Sequence, residues 1–343
     1  NTFSIHPPSK KRRPGRRGKT RVELHGRPTD PYRVFFPLGI LLGAFGVLIW
    51  PLYYHGVTQG YSGRAHAFVQ TCGFLYAFIV GFLLTAIPRF TGTEPPGRRA
   101  QYALAVVVAA AAIAFEFQFF AAGQTAFVIA HFTLIVMAAR RFLRRRQDPP
   151  ETFSLLGLGL IAGAAGALIN AGVAWSVIAP SWDLLGRRLL TEGMVLMLVL
   201  GVGGFLGPRL MGFSSMEIPQ VAGKRLGVKF FYGAAGVALM ISLIAEYGFG
   251  LQPMALLRAA VVSAVVLTTT RPWRLPSVRT TLAWCVWLAN WFVIVAVWLA
   301  AAAPRYRADF LHVLFIGGFT LLVFAVGTRV GLSHGGYSLG KER

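Results

Sequence analysis

The sequence predicts an all-α, polytopic transmembrane helix bundle of about ten spans, and three observations carry that prediction. Apolar residues make up 55% of the 343-residue chain and charged residues only 13%, about half the charged share that keeps a soluble domain's surface wet. Mean hydropathy is +0.59. Apolar runs long enough to cross a bilayer recur from end to end, and roughly 18 or more apolar residues in a row read as a spanning helix rather than a core helix.

The elements follow in order. Residues 1–32 are polar and rich in Pro and Arg, with eight Lys/Arg between Lys10 and Arg21. Such a segment buries too little to fold and is expected to be a disordered basic arm. Spans are predicted at 33–54, 66–88, 100–120, 122–143, 153–178, 188–212, 226–247, 251–270, 281–303 and 308–331. Each covers a hydrocarbon core of roughly 30 Å at about 1.5 Å per residue. Together they form a membrane domain over 33–331, followed by a short tail, 332–343. Glycines 157, 159, 163 and 166 in the fifth span and the run Ala109 to Ala112 in the third allow close helix packing in lipid.

Orientation follows from the loops. With the arm in the cytoplasm, the inner connections hold Arg98 and Arg99, Arg140 to Arg146, Lys224 to Lys229 and Arg271 to Arg279, while the outer ones hold few cations. Cytoplasmic loops carry the Lys/Arg excess, so both termini are expected in the cytoplasm. The net charge of +22 is gathered in the arm and at helix ends. That placement suits anionic lipid headgroups rather than nucleic acid. Cys72 and Cys285 both lie in apolar runs, so neither a disulfide framework nor covalent haem attachment is expected. No cleavable signal is visible.

An internal repeat is legible. The second predicted span ends Ala86-Ile-Pro-Arg-Phe-Thr-Gly92, the sixth ends Leu206-Gly-Pro-Arg-Leu-Met-Gly212, and the tenth ends Val326-Gly-Thr-Arg-Val-Gly331. Their arginines, Arg89, Arg209 and Arg329, are 120 residues apart in each case. An arginine at an inner helix end is commonly just an anchor. The equal spacing and the shared ending point instead to a four-helix repeat in parallel topology, two full units and a two-helix remainder.

Intramembrane polar residues are costly and mark candidate sites. They collect toward the outer ends of the spans: His66 and Gln70, Glu116 and Gln118, Gln124, Asn170, Thr191 and Glu192, Asp309 and His312, with His131 and Asn290 deeper. Neutral imidazole ligates haem iron, copper or zinc. A lone membrane histidine is more often a hydrogen-bonding group than a ligand, and His55, His66, His131 and His334 each have that plainer reading. His66 lies 23 residues before Arg89 and His312 only 17 before Arg329. With straight, equally tilted helices they would differ by about 9 Å in depth, which leaves His131 as a competing partner for either.

Three segments resemble the NnrS family of bacterial membrane proteins. They are Gly63-Arg-Ala-His66 with Gly81-Phe-Leu-Leu-Thr-Ala-Ile-Pro-Arg-Phe-Thr-Gly92, then Leu196 to Gly212, and Leu311-His312 through Arg329 to Ser333-His334-Gly335-Gly336. The resemblance implies a place in a bacterial inner membrane, haem and copper, a part in the response to nitric oxide, and about twelve spans. Three four-helix units would be reminiscent of haem–copper oxidase architecture, in which histidines on helices two and ten hold a haem. Carried onto this chain, His66 and His312 become axial ligands of a b-type haem, with His131 as the alternative. His66, His312 and His334 become metal candidates, and Glu116, Glu192 and Arg64 groups that tune the haem or pair with its propionates.

The chain departs from the family at informative places. Arg64 stands where the family's His-x-His pattern has its first histidine, Ala67 follows His66, His334 is followed by Gly-Gly-Tyr, and two expected spans are missing at the end. A fixed cation cannot ligate a metal, which argues against copper. Two other functions compete: a cofactor-free accessory subunit of a larger membrane complex, and a transporter using the outer polar cluster.

Overall fold

The computed structural model describes residues 30–213 and 222–334. The predicted arm lies almost wholly outside the described residues, as does most of the tail, and the His334 side chain is among those not described. Among the described residues the long elements are ten helices, one for every predicted span. They are α1 (Tyr32–Tyr54), α2 (Gly63–Thr91), α3 (Arg98–Glu116), α4 (Phe120–Leu143), α5 (Phe153–Ala174), α6 (Pro180–Leu210), α7 (Leu226–Gly248), α8 (Met254–Thr270), α9 (Thr281–Ala302) and α10 (Pro304–Ser333). All but α8 are both long and apolar enough to cross a membrane. The protein is a multi-pass membrane protein.

Hydropathy misplaced several ends. Helix α6 starts near residue 180 rather than 188, and α2 and α10 also begin earlier than expected. Their first turns carry Arg64, Asp183, Arg187, Arg188, Arg307 and Asp309, which depress hydropathy without stopping a helix. Ser62 caps α2, its Oγ accepting from the Ala65 N–H at 3.2 Å, as a serine before a first turn should. Helix α3 ends early, at Glu116, and the chain reverses through Gln118 at φ 61°.

Consecutive helices pack against one another: α1 on α2, α3 on α2 and α4, α4 on α5, α5 on α6 and α7, α8 on α6, α7 and α9, and α9 on α10. The apolar windows of α2 and α6 are 83% and 72% buried, while those of the other seven long apolar helices do not exceed 44%. These two therefore form the centre, and the rest surround them.

The repeat is structural as well as sequential. Each of α2, α6 and α10 has a short α-helical segment near its start, Gly63–Phe68, Asp183–Arg188 or Arg307–His312, preceded in α6 and α10 by a 3-10 turn. Each then widens into a π-helical stretch, Val69–Leu75, Leu189–Val195 or Val313–Thr320, before returning to α-helix. The i→i+5 bond of a π turn accommodates an extra residue, and sequence periodicity gives no sign of it.

The Pro-Arg-x-x-Gly ending has a backbone explanation in two units. Gly92 and Gly212 take φ 66° and 80°, the left-handed closure of a helix that glycine alone adopts freely. The N–H groups of Thr93 and Phe213 donate back to the carbonyls of Pro88 and Pro208, each at 2.8 Å. In the third unit the helix runs on through Gly331 to His334.

Candidate functional site

The site is built first by α1. Gly39, Gly43 and Gly46 line the side of α1 that meets α2. A Cβ at these positions would come within 2.7 Å of the Phe78 ring, 2.9 Å of the Phe74 ring and 2.6 Å of Val69. This small-residue stripe lets the two backbones approach closely. The approach is used by α2: the Gln70 amide donates to the Gly43 carbonyl at 3.0 Å, and His66 Nδ1 meets the Gly46 carbonyl at 2.9 Å.

A Gly46→Val substitution is therefore expected to force α1 away from α2. It should cost about 1–3 kcal/mol of stability by overpacking, read as a lower melting temperature in detergent, and it should also free the His66 ring. An unchanged melting temperature would show that the stripe is not a packing constraint.

His312, at the end of the short α-helical segment near the start of α10, stands 6.5 Å from His66 between ring centroids, with planes only 13° apart. Its Nδ1 meets the Ala308 carbonyl at 2.8 Å. Both imidazoles thus spend Nδ1 on a backbone carbonyl, which fixes the tautomer and leaves Nε2 as the acceptor or ligand nitrogen. Trp50 packs edge-on to His66 at 6.1 Å and against Tyr61 at 3.7 Å, and Phe315 lies 6.5 Å from His312. The mouth of the site is aromatic, with His66 half-buried and His312 exposed. The 9 Å depth mismatch expected for straight, equally tilted helices does not keep the rings apart.

His131 is elsewhere. It is fully buried between Tyr76 and Phe127, at 5.7 and 5.8 Å. Its arrangement is the reverse of the other two: Nε2 meets the Leu160 carbonyl at 2.9 Å, and Nδ1 has no hydrogen-bond partner. His131 links α4 to α5, and no ring contact joins it to His66 or His312 among the described residues.

Arg64, at the expected ligand position, is held by Asp183 of α6, its Nη2 donating to Oδ1 at 2.7 Å. The guanidinium also lies over the Phe120 ring at 4.7 Å. It ties α2 to α6 one turn from His66. Glu116 closes α3 half-buried, with Oε2 lacking a hydrogen-bond partner.

Glu192 belongs to a buried ionic network rather than to the histidine pair. Arg258 Nε donates to Glu192 Oε2 at 2.9 Å, and Arg188 stands 3.3 Å from the other oxygen. The second guanidinium nitrogen of Arg258 reaches Glu246 Oε2 at 2.6 Å. Arg307 bonds the remaining oxygen of Glu246, the Tyr247 hydroxyl at 2.6 Å and the Ala300 carbonyl at 3.2 Å. Two carboxylates and three guanidiniums thus join α6, α7, α8 and α10, with α9 tied in through its Ala300 carbonyl. Sequence reasoning passed over Glu246 and Arg258 and put Arg307 in a loop. The signal was present: Arg258 sits inside an apolar span, where a charge without a partner would be expensive.

Arg89, Arg209 and Arg329 come together at the opposite end of the bundle, lining one cavity of about 300 Å³. Among the described residues no three His, Cys, Asp or Glu side chains converge as a metal site.

The chain matches the family model described as NnrS protein over residues 29–343. No curated protein matches it.

Proposed function

The chain belongs to the NnrS family, and from that premise we propose that it is a membrane haem protein with His66 and His312 as the two axial ligands, serving a redox role linked to nitric oxide. The observation that carries the reading is the paired use of Nδ1. Each ring is fixed by a carbonyl and each keeps Nε2 for a metal. A neutral imidazole with a free Nε2 is the donor that haem iron takes, and two such donors close together are what a haem site needs. The two rings here stand 6.5 Å apart between centroids with planes 13° apart, and in this reading both would hold a b-type haem through Nε2.

The chain's own groups have definite tasks in this reading. The Gly46 and Ala308 carbonyls orient the rings and raise their basicity. Trp50 and Phe315 offer apolar surface to a macrocycle, and the Arg64–Asp183 pair holds the first turns of α2 and α6 together. When bound, haem would supply the one-electron chemistry that no side chain here provides.

Copper does not fit in the same way. Arg64 occupies a position where the family has a histidine, has no lone pair to give and is engaged by Asp183. The proposal involves haem alone. In keeping with the loop charges, it places the histidine end toward the outer leaflet of a bacterial inner membrane.

The test is an absorption spectrum of the purified full chain with a pyridine haemochrome assay. The expected result is a Soret band that sharpens on reduction, with close to one b-type haem per chain. Preparations from haem-replete cells that show no such band would refute the proposal.

A further inference from the structure

A cavity of about 420 Å³ lies where α2 and α4 end, apart from the histidine pair and the ionic network. One wall is the turn that follows α2, residues 92–95. The other is the end of α4 and the loop beyond it, with Arg140, Arg141, Arg144 and Arg146. Backbone contacts set the two walls. Arg141 donates from Nε to the Glu94 carbonyl at 2.9 Å and from Nη1 to the Met137 carbonyl at 2.7 Å. The Arg146 N–H donates to the Thr91 carbonyl at 2.7 Å. Gly92, at φ 66°, lets the loop come close, since a Cβ there would stand 3.3 Å from the Arg146 Cβ.

An arginine in a last helical turn often does no more than satisfy its own helix's carbonyls, as Arg141 does in part. Arg140, Arg144 and Arg146 differ. They are exposed, and among the described residues no carboxylate or carbonyl engages their side chains. Their neighbour Arg145 takes Asp148 at 3.1 Å and is not part of the lining. Glu94, the acidic residue of the lining, gives Arg141 its backbone oxygen, and its exposed side chain pairs with none of the four.

Four guanidiniums thus line one cavity of a size that takes a small ligand. A guanidinium pairs its N–H fork with two oxygens of a phosphate, which makes phosphate the fitting anion. The position of the cavity favours a lipid as its source. Arg140 and Arg141 stand in the last turn of a helix long and apolar enough to span a membrane, where headgroups lie and basic pockets between helices hold them.

We propose that this cavity binds the phosphate-bearing headgroup of an anionic phospholipid, with Arg140, Arg144 and Arg146 as its charge partners and Arg141 as a fixed wall. The site requires neither haem nor the N-terminal arm.

The experiment uses the full chain, purified and stripped of lipid in detergent, and titrated separately with phosphatidylglycerol, phosphatidylcholine and inorganic pyrophosphate. Native mass spectrometry counts bound lipid, and melting temperature follows saturation. The expected result is saturable retention of phosphatidylglycerol, at least about tenfold tighter than of phosphatidylcholine, with no matching response to pyrophosphate. Arg140→Gln combined with Arg144→Gln should weaken retention about thirtyfold, as the loss of two cations beside a charged headgroup does. Arg145→Gln, in the same loop but outside the lining, should change it by less than about twofold.

Pro95→Glu places a carboxylate in the lining and leaves every arginine in place. It should release the lipid too, which keeps the test open if the double variant fails to fold. Equal retention of the zwitterionic lipid, or an Arg145→Gln loss as large as that from the cavity arginines, would overturn the proposal. So would stabilisation by pyrophosphate as strong as by the lipid, which would make this a site for soluble phosphate.

Discussion

Replacing Glu246 with leucine is expected to destabilise the protein by about 3–5 kcal/mol, the cost of leaving buried charges without their partner. The carboxylate is 2% exposed and serves both Arg258 and Arg307. Its loss leaves Arg307 with only Tyr247 and a backbone carbonyl, and Arg258 with Glu192 alone. Both guanidiniums are buried among apolar helices, where water cannot easily replace the carboxylate. The change should appear as a large drop in melting temperature in detergent and low accumulation in the membrane.

The same reasoning makes a sharper demand of the double variant Glu246→Leu with Arg307→Met. Removing both partners takes away the stranded charge, so the pair should cost much less than the two single changes added together. Additive losses, or a Glu246→Leu protein that melts like the parent, would show that the network contributes little.

The second large effect concerns the histidine pair. His66→Ala and His312→Ala are each expected to abolish the Soret band or leave a weak, five-coordinate spectrum. Millimolar imidazole should restore much of it, because a small ligand can enter the space the ring vacates. Compared as haem-free proteins, variants and parent should melt alike, since His312 is exposed and His66 only half-buried, and any difference between the haem-loaded forms follows from lost haem binding. His131→Ala should behave in the opposite way. Its ring is fully buried, with Nε2 on the Leu160 carbonyl, so its loss should lower stability by about 2–3 kcal/mol through a cavity and an unsatisfied carbonyl, with the spectrum retained. If His131→Ala removes the band and His312→Ala does not, the axial assignment is wrong.

Much of the architecture was legible in the sequence because lipid imposes a simple rule. An apolar run of the right length spans, so all ten helices were predicted in order. Their starts were misread where charge gathers in a first turn, as at Asp183 and Arg187 of α6. The repeat was visible because Arg89, Arg209 and Arg329 keep an equal spacing. That they line one cavity was not visible, since spacing says nothing of which helices converge.

The site was half legible. His66 and His312 were chosen by residue type and resemblance, and the structure brings their rings together. Their depth along the helices weighs against the pair and keeps His131 as a competing partner, because a calculation from residue number assumes straight, equally tilted α-helices. The carbonyls that orient the rings belong to the backbone, and only the glycine stripe at positions 39, 43 and 46 hinted where α1 would come close. The ionic network escaped because its members lie on four helices and only the fold assembles them.

The π stretches in α2, α6 and α10 have one more consequence. Each residue advances an α-helix by about 100°, so one extra residue absorbed in a π turn resets the rotational phase of everything beyond it. The part of each helix that carries the histidine or its counterpart and the part that carries the arginine are therefore indexed independently. Substitutions at one end can redirect side chains there without turning the other end away from its neighbours. Such decoupling would let a lineage alter or abandon one chemistry, as Arg64 in place of a histidine suggests, while the opposite end of the same three helices stays in register.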